Sequence, residues 1–164
     1  MDQFIIRLAA PRDVDAIAEL WEGLVAYHRA LDAHLPTASS NGAMRYARRV
    51  LDHLEDPIAR VFVAEQDDQV IGYVLGVIVE LSPEMFTQEM SGFLADIYVD
   101  EVHRRGGVGR ALVDALVGWF TEKGLLFYEW HAAARNEAGI AFWEAMNGRV
   151  VMLRMRAEIG KPPS

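Results

Sequence analysis

The stretch that decides the fold runs from Ser91 to Gly124 and joins an apolar segment, a glycine-rich turn and a helical pattern. Its first part reads GFLADIYV at residues 92–99, which is typical of a strand. The turn reads RRGGVG at residues 104–109, and an apolar stripe then continues to Lys123 before the final glycine. The stretch therefore predicts a strand, a turn and a helix in direct succession.

The glycine-rich turn has the properties of an anion site. Glycine lets the backbone approach a ligand closely because no Cβ intervenes. The first turn of a helix leaves N–H groups without partners and carries partial positive charge. Three arginines, Arg104, Arg105 and Arg110, add donors suited to phosphate oxygens. We predict a phosphate-binding turn here, and the alternative interpretation of the arginines is a solvated basic cluster.

The composition is that of one folded domain. The chain has 164 residues, of which 52% are hydrophobic, and this excludes a disordered protein. No apolar run approaches the roughly 18 residues of a membrane span, and the N-terminus lacks a secretory pattern. The absence of cysteine excludes disulfides and favours a cytoplasmic location. The net charge of −8 disfavours nucleic-acid binding and is weakly compatible with a cationic substrate, although ordinary solubility is the simpler explanation.

The remaining sequence predicts an α/β fold in which helices cover a mixed, mostly antiparallel sheet. Periodicity and turn residues place the elements in the order βααβββαβαβ. Strands are predicted at residues 4–8, 61–65, 70–81, 92–99, 125–132 and 150–159. Helices are predicted at residues 11–31, 43–54, from the glycine turn to 123, and at 136–146. We expect one domain over residues 1–164, with residues 160–164 as a tail.

Two motifs make the chain resemble the GNAT superfamily of acyl-CoA N-acyltransferases over nearly its whole length. The phosphate motif of that family, Arg/Gln-x-x-Gly-x-Gly/Ala, corresponds to residues 104–109. A later motif, an asparagine followed by a helix with two aromatics and a glutamate, corresponds to Asn136, Phe142-Trp143-Glu144 and Gly148. The resemblance implies an acetyl-CoA-dependent N-acetyltransferase acting on a primary amine of a small molecule or a protein.

The resemblance also assigns cofactor contacts. It implies that the backbone of Ile97, Tyr98 and Val99 bonds the pantetheine arm. The pyrophosphate is then held by the turn and the first helical residues, which are Arg104, Arg105, Gly106, Gly107, Val108, Gly109 and Arg110. Asn136 is implied to touch the cofactor, and the following helix, with Trp143, to pack along it. The strands at Val99 and Leu125 are implied to splay apart.

Acyl transfer needs a base, because the reference pKa of an amine is about 10. Asp96 is the leading candidate for the base or for holding a water, since related enzymes often place an acidic residue at this position. Strict alternation places Asp96 on one face with Leu94 and Tyr98. The alternative is a carboxylate that bonds backbone or positions substrate. By resemblance, a backbone N–H near Ile97 or Tyr98 is the oxyanion donor.

The neighbouring strand offers further titratable groups. Glu129 and His131 share a face with Phe127, and either could relay a proton. The alternative is a solvated edge or a satisfied polar pair.

The acid for the leaving thiolate is less well defined. Relatives often carry a tyrosine where this chain has Phe142-Trp143, and an indole cannot act as that acid. A simple thiol has a pKa of about 8.5, so the thiolate can leave with modest help. Tyr98 and Tyr128 are candidates for a substitute, or are packing aromatics. The missing tyrosine keeps open a second function, a non-catalytic acyl-CoA-binding module or sensor.

The acceptor side is the least determined. By resemblance, the first two helices contribute to it, which makes Tyr27, His28 and Asp32 candidates, with His131 from the later strand. His28 falls on an apolar stripe, so a packed histidine is the alternative. We predict no metal site, because the set His28, Asp32 and His34 extends past the expected helix end. Relatives often dimerise, so a homodimer is an alternative to a monomer that the sequence leaves open.

A third function class is weakly indicated. Gly107-x-Gly109 follows a strand and Glu129 lies about 20 residues later, as in a dinucleotide-binding oxidoreductase. The third glycine position holds Leu112, however, and the preceding strands form hairpins.

Overall fold

The computed structural model describes residues 3–160. The five strands are β1 (Ile5–Leu8), β2 (Ala59–Gln66), β3 (Gln69–Glu80), β4 (Met90–Val99) and β5 (Tyr128–Trp130). The four α-helices are α1 (Val14–Leu31), α2 (Gly42–Leu54), α3 (Val108–Glu122) and α4 (Glu137–Ala145). Short 3₁₀ turns at Pro11–Asp13 and Glu101–His103 precede α1 and α3. No helix within these described residues is both long and apolar enough to cross a membrane.

The strands form one sheet in the order β1-β2-β3-β4-β5. The first four pair antiparallel with their neighbours, whereas β4 and β5 pair in parallel through α3. This confirms the predicted mixed, mostly antiparallel α/β fold. The sheet differs from the parallel βαβ arrangement of dinucleotide-binding proteins. Strand β5 is shorter than the predicted 125–132, because it pairs over only three residues.

A β-bulge divides β4 into two parts. Leu94 pairs with Gly76, but Asp96 pairs with Leu75, so Ala95 is one extra residue on β4. Gly76 and Leu75 are consecutive and point to opposite faces. The expectation that Leu94 and Asp96 share a face was therefore wrong, because the inserted residue reverses the alternation. Tyr98 pairs with Tyr73 beyond the bulge and does share the face of Asp96.

Helices α1 and α2 cover one face of the sheet. Their apolar stripes form the core with alternate residues of β2 and β3, which are Val14, Ile17, Tyr46, Val50, Val61, Val63, Tyr73 and Leu75. Helix α3 covers the other face through Leu112, Leu116 and Phe120. The approach is close, because a Cβ on Gly92 would lie 2.6 Å from the Phe120 ring. Glycine thus lets α3 lie directly on β4, and the strand's position is fixed from both sides.

Residues from Ala132 onward form a second compact unit. Asn136 caps α4 by accepting a hydrogen bond from Gly139 N at 2.9 Å. The helix ends where Asn147 takes the left-handed conformation (φ 64°) and Gly148 N donates to Trp143 O at 2.8 Å.

The predicted last strand at residues 150–159 is wrong. These residues have no regular structure, and Val151, Met152 and Leu153 are exposed. Alternating apolar residues satisfy their backbone as a strand only beside a partner, and no described strand pairs with this segment. Of the predicted tail, Gly160 lies in a turn and residues 161–164 lie outside the described residues.

Candidate active site

The site begins where β4 and β5 separate. They pair from Gly92 with Tyr128 to Leu94 with Trp130, and no further. From Ala95 onward, β4 pairs with β3 alone among residues 3–160, so within this range its other edge is open at Ile97–Val99. The expected splay is present and starts at the bulge. An open strand edge offers backbone donors and acceptors to an extended ligand.

The glycine-rich turn leads from this open edge into α3. Gly107 is the N-cap of the helix and has a φ of 84°, a conformation that glycine adopts without strain. A Cβ added there would meet no atom within 4 Å, so space is open in front of the helix N-terminus. Arg105 also has a positive φ of 67°, which is uncommon for a residue with a side chain. The first-turn amides of α3 have no intrahelical partner, and this geometry suits a phosphate group.

Arg104 connects the glycine-rich turn to α1. Its guanidinium lies over the rings of Tyr27 (4.7 Å) and Tyr98 (5.0 Å), between α1 and β4. Its Nε also donates to the carbonyl of Val99 at 3.0 Å. The structure thus brings together Tyr27, Tyr98 and Arg104, for which the sequence predicted separate roles. Arg105 and Arg110 are exposed.

Tyr98 packs closely under α1. A Cβ on Gly23 would lie 3.0 Å from the Tyr98 hydroxyl oxygen, so glycine is what allows this approach. The Tyr98 ring therefore lies on the α1–α2 face of the sheet, the same face as Asp96.

Asp96 lies in a chain of hydrogen-bonding side chains. The Tyr46 hydroxyl donates to Asp96 Oδ2 at 2.9 Å, and the Tyr46 and Tyr73 hydroxyl oxygens are 3.2 Å apart. Burial raises the pKa of the Asp96 carboxyl, while the bond from Tyr46 and the charge of Arg49 lower it in part. Burial likewise raises the pKa of both phenols, which are neutral donors here. A carboxyl with a raised pKa is better matched to proton transfer near neutral pH.

Strand β5 and the residue after it, His131, contribute two titratable groups on one face. Glu129 pairs with Phe93, and the Phe93 ring meets the His131 ring edge-on at 5.3 Å. Tyr128 points to the other face, where its ring lies 6.0 Å from that of Phe120 on α3. Burial, followed by the charge of Asp114, raises the pKa of the Tyr128 phenol.

A family model described as the acetyltransferase (GNAT) family matches residues 21–148. This match begins within α1 and ends just after α4. The chain belongs to the GNAT acetyltransferase family.

Solved structures agree with this GNAT assignment. A mutant of the BH1408 protein from Bacillus halodurans has a TM-score of 0.85 at 20% identity, covering 94% of this chain and 99% of that one. A predicted acetyltransferase with acetyl-CoA from Clostridium acetobutylicum has a TM-score of 0.76 at 13% identity, covering 96% and 97%. A ribosomal-protein-alanine N-acetyltransferase from Brucella melitensis biovar Abortus 2308 has a TM-score of 0.69 at 25% identity, covering 97% and 99%. No curated protein sequence matches the chain.

The acceptor candidates of this GNAT chain lie near the end of α1. His28 is partly buried, and burial lowers its pKa. Asp32 accepts from the backbone N of His34 at 2.9 Å and lies 2.8 Å from its Nδ1, so this pair shapes the turn after the helix. Within residues 3–160, no group of three histidine or acidic side chains is placed to hold a metal ion.

The later GNAT motif lies in the second unit. Asn136 uses its side-chain oxygen to cap α4. Trp143 is buried, and its ring meets Phe142 edge-on at 4.9 Å. Their contacts with a cofactor stay a prediction.

The sequence analysis missed Tyr46 and Tyr73. Tyr46 precedes Val50 by four residues on the buried stripe of α2, and Tyr73 occupies an apolar strand, so both patterns indicated packing alone. Only the register of β3 with β4 brings Tyr73 near Asp96. Arg45, Arg48 and Arg49 form an exposed face of α2.

Proposed function

We propose that this chain is an acetyl-CoA-dependent N-acetyltransferase that acts on a primary amine of a small molecule or a protein. One observation carries the proposal. Strand β4 parts from β5 at Ala95, and directly beyond that point it presents Asp96 on one face and leads into the glycine turn of α3. A base and an anion site thus flank one open strand edge.

The residues present fit acetyl-CoA, which when bound supplies an activated acyl group as a thioester. The turn from Arg104 to Arg110 would hold the pyrophosphate through backbone amides, because Gly107 leaves the space before the helix open. The edge of β4 at Ile97–Val99 would bind the pantetheine arm as an added strand does. The Clostridium acetobutylicum structure is described with acetyl-CoA, which supports this donor.

Asp96 is our candidate for the general base. Burial raises the pKa of this carboxyl, so it holds a proton more strongly than an exposed aspartate. It would take the amine proton directly or through a water, which frees the nitrogen lone pair for attack. Glu129 on β5 and His131 directly after it are the further candidates for passing that proton to solvent. The Brucella relative, described as acting on a protein alanine, supports an amine acceptor.

The reaction is tested by following thiol release from acetyl-CoA with a panel of primary amines, and by calorimetry of CoA binding. We expect binding of CoA and turnover with a subset of amines. Tight CoA binding without turnover by any amine would contradict the enzymatic proposal and support the acyl-CoA-binding module.

The anion site is tested with Gly107→Glu. A side chain and a negative charge there would fill the space in front of α3, so we expect CoA binding to be lost. The control is Gly118→Glu, which makes the same change at an exposed position of the same helix with no atom within 4 Å of the added Cβ. Equal CoA affinity in both variants would contradict the proposal that the glycine-rich turn binds the pyrophosphate.

A further inference from the structure

The hydrogen-bond chain beneath α2 gives Asp96 one defined orientation. Tyr46 lies between Tyr73 and Asp96, with oxygen distances of 3.2 Å and 2.9 Å. Tyr46 and Tyr73 are 7% and 0% exposed, and Trp21 stacks on the Tyr46 ring at 4.9 Å with an angle of 12°. Two rings fixed by packing therefore present a hydroxyl to a carboxyl at the edge of the candidate site.

The donor and acceptor of each of these hydrogen bonds follow from the number of hydroxyl hydrogens available. Tyr46 has a single hydroxyl hydrogen, and an ionised carboxylate accepts hydrogen bonds only. That hydrogen therefore points to Asp96 Oδ2, and Tyr73 donates to the Tyr46 oxygen. Within residues 3–160, no hydrogen bond is made at Asp96 Oδ1.

We propose that Tyr46 is the positioning residue of Asp96, holding Oδ2 so that Oδ1 accepts the amine proton, with Tyr73 supporting Tyr46 from behind. In this step the N–H bond breaks, an Oδ1–H bond forms, and the electron pair stays on nitrogen for attack on the acyl carbon. The inference rests on the proposed acetyl transfer and on Asp96 as its base.

The other groups around Asp96 do not replace this contact. Arg49 on α2 acts through its charge, and it is exposed to solvent. Helix α1 packs on the same strand at Tyr98 through Gly23, with Tyr27 and Arg104 beyond it. Among the described residues, Tyr46 is the one that donates a hydrogen bond to the Asp96 side chain.

The first test is Tyr46→Phe, read by NMR titration of the Asp96 carboxyl carbon in the ligand-free protein. The ring and its packing are kept, but the donor to the carboxylate is lost, so the pKa of Asp96 is expected to rise. Tyr73→Phe should move it in the same direction by less, because it acts through Tyr46. Val50→Ala, which loosens the same core one helical turn later, is the control and should leave the titration in place.

The second readout is the pH profile of kcat/KM. In Tyr46→Phe its acid limb should move to higher pH together with the titration, with roughly a tenfold loss on that limb, as for one hydrogen bond to a charged group. An Asp96 titration that is the same in wild type and Tyr46→Phe would overturn the inference, as would a titration that moves while the acid limb does not.

The two proposals fail separately. No turnover in the wild type would overturn the proposed function, and the NMR titration would then still decide whether Tyr46 holds the Asp96 carboxyl. A titration that moves as strongly in Val50→Ala as in Tyr46→Phe would also overturn the inference, since general loosening would then explain it.

Discussion

Two clusters of charged side chains in the first unit are built in opposite ways. At the start of α1, Arg7 donates to both carboxylate oxygens of Asp13, at 2.7 and 2.9 Å, and to Glu65. At the end of β4, Asp96 accepts from a neutral phenol and Arg104 lies between two neutral rings. In the first cluster, opposite charges pair with one another. In the second, Asp96 and Arg104 contact neutral side chains instead.

The proton affinities follow this difference. The Arg7 hydrogen bond lowers the pKa of Asp13, although the carboxyl is buried, whereas burial raises the pKa of Asp96. A paired carboxylate strengthens the fold but is inert as a base. An unpaired one costs stability and gains reactivity, which is the usual distinction between structural and functional sites.

Asp96→Asn should give the largest effect. Without a titratable base, kcat is expected to fall by about 10²- to 10⁴-fold, while CoA affinity measured by calorimetry is retained. The folded protein binds the Asp96 proton more tightly than the unfolded chain, so the contribution of Asp96 to wild-type stability falls as pH rises above about 3.9. The variant should lose this slope and be more stable at neutral pH. Turnover by Asp96→Asn at the wild-type rate would show that Asp96 is not the base.

Asp13→Asn should cost about 3 kcal/mol of unfolding free energy at pH 7, because a buried ion pair loses one partner. The folded-state pKa of Asp13 is lowered, so its contribution is fully present above about pH 3.9 and is lost as pH falls from there through the lower folded-state pKa. Urea unfolding between pH 3 and 7 should show this loss in wild type and less of it in the variant. A variant as stable as wild type at pH 7 would show that the Arg7–Asp13 pair does not stabilise the fold.

The features that the sequence predicted are local, and those that it did not predict depend on tertiary contacts. The glycine turn and the period of α3 are local signals, and they predicted the phosphate turn and the parallel β4–β5 crossover. Asp96 was found because it stands beside that turn. Tyr46 and Tyr73 were not, since a phenol in an apolar stripe becomes a hydrogen-bond donor only through tertiary register. The bulge at Ala95 and the unpaired segment after α4 were missed for the same reason, because strand pairing is set by contacts distant in sequence.

Arg104→Met should cost about 1–2 kcal/mol, from the loss of cation–π contacts and one hydrogen bond. No buried carboxylate is left behind, so the loss should be smaller than for the matched variant Arg7→Met, which removes both guanidinium hydrogen bonds to the buried Asp13. Urea unfolding of both variants measures the difference. An equal loss of unfolding free energy would show that the contacts of Arg104 with neutral side chains stabilise the fold as much as the ion pairs of Arg7 do.

Glu65→Gln should give the smallest effect, about 1 kcal/mol. Arg7 keeps its two bonds to Asp13, and an amide oxygen still accepts from the guanidinium. A double-mutant cycle with Asp13→Asn would measure how far the two carboxylates support each other. A Glu65→Gln loss as large as that of Asp13→Asn would make Glu65 the principal partner.

The extra residue at Ala95 also governs how relatives should be compared. Removing Ala95 would make Leu94 and Asp96 neighbours in a regular ladder, still opposite Gly76 and Leu75, so Asp96 would keep its face but the local kink of β4 would be lost. A one-residue gap at this point in an alignment therefore changes the bend of the strand and leaves the face of the following carboxylate unchanged. Family members should be aligned by the kinked strand first, and only then searched for the carboxylate that follows it.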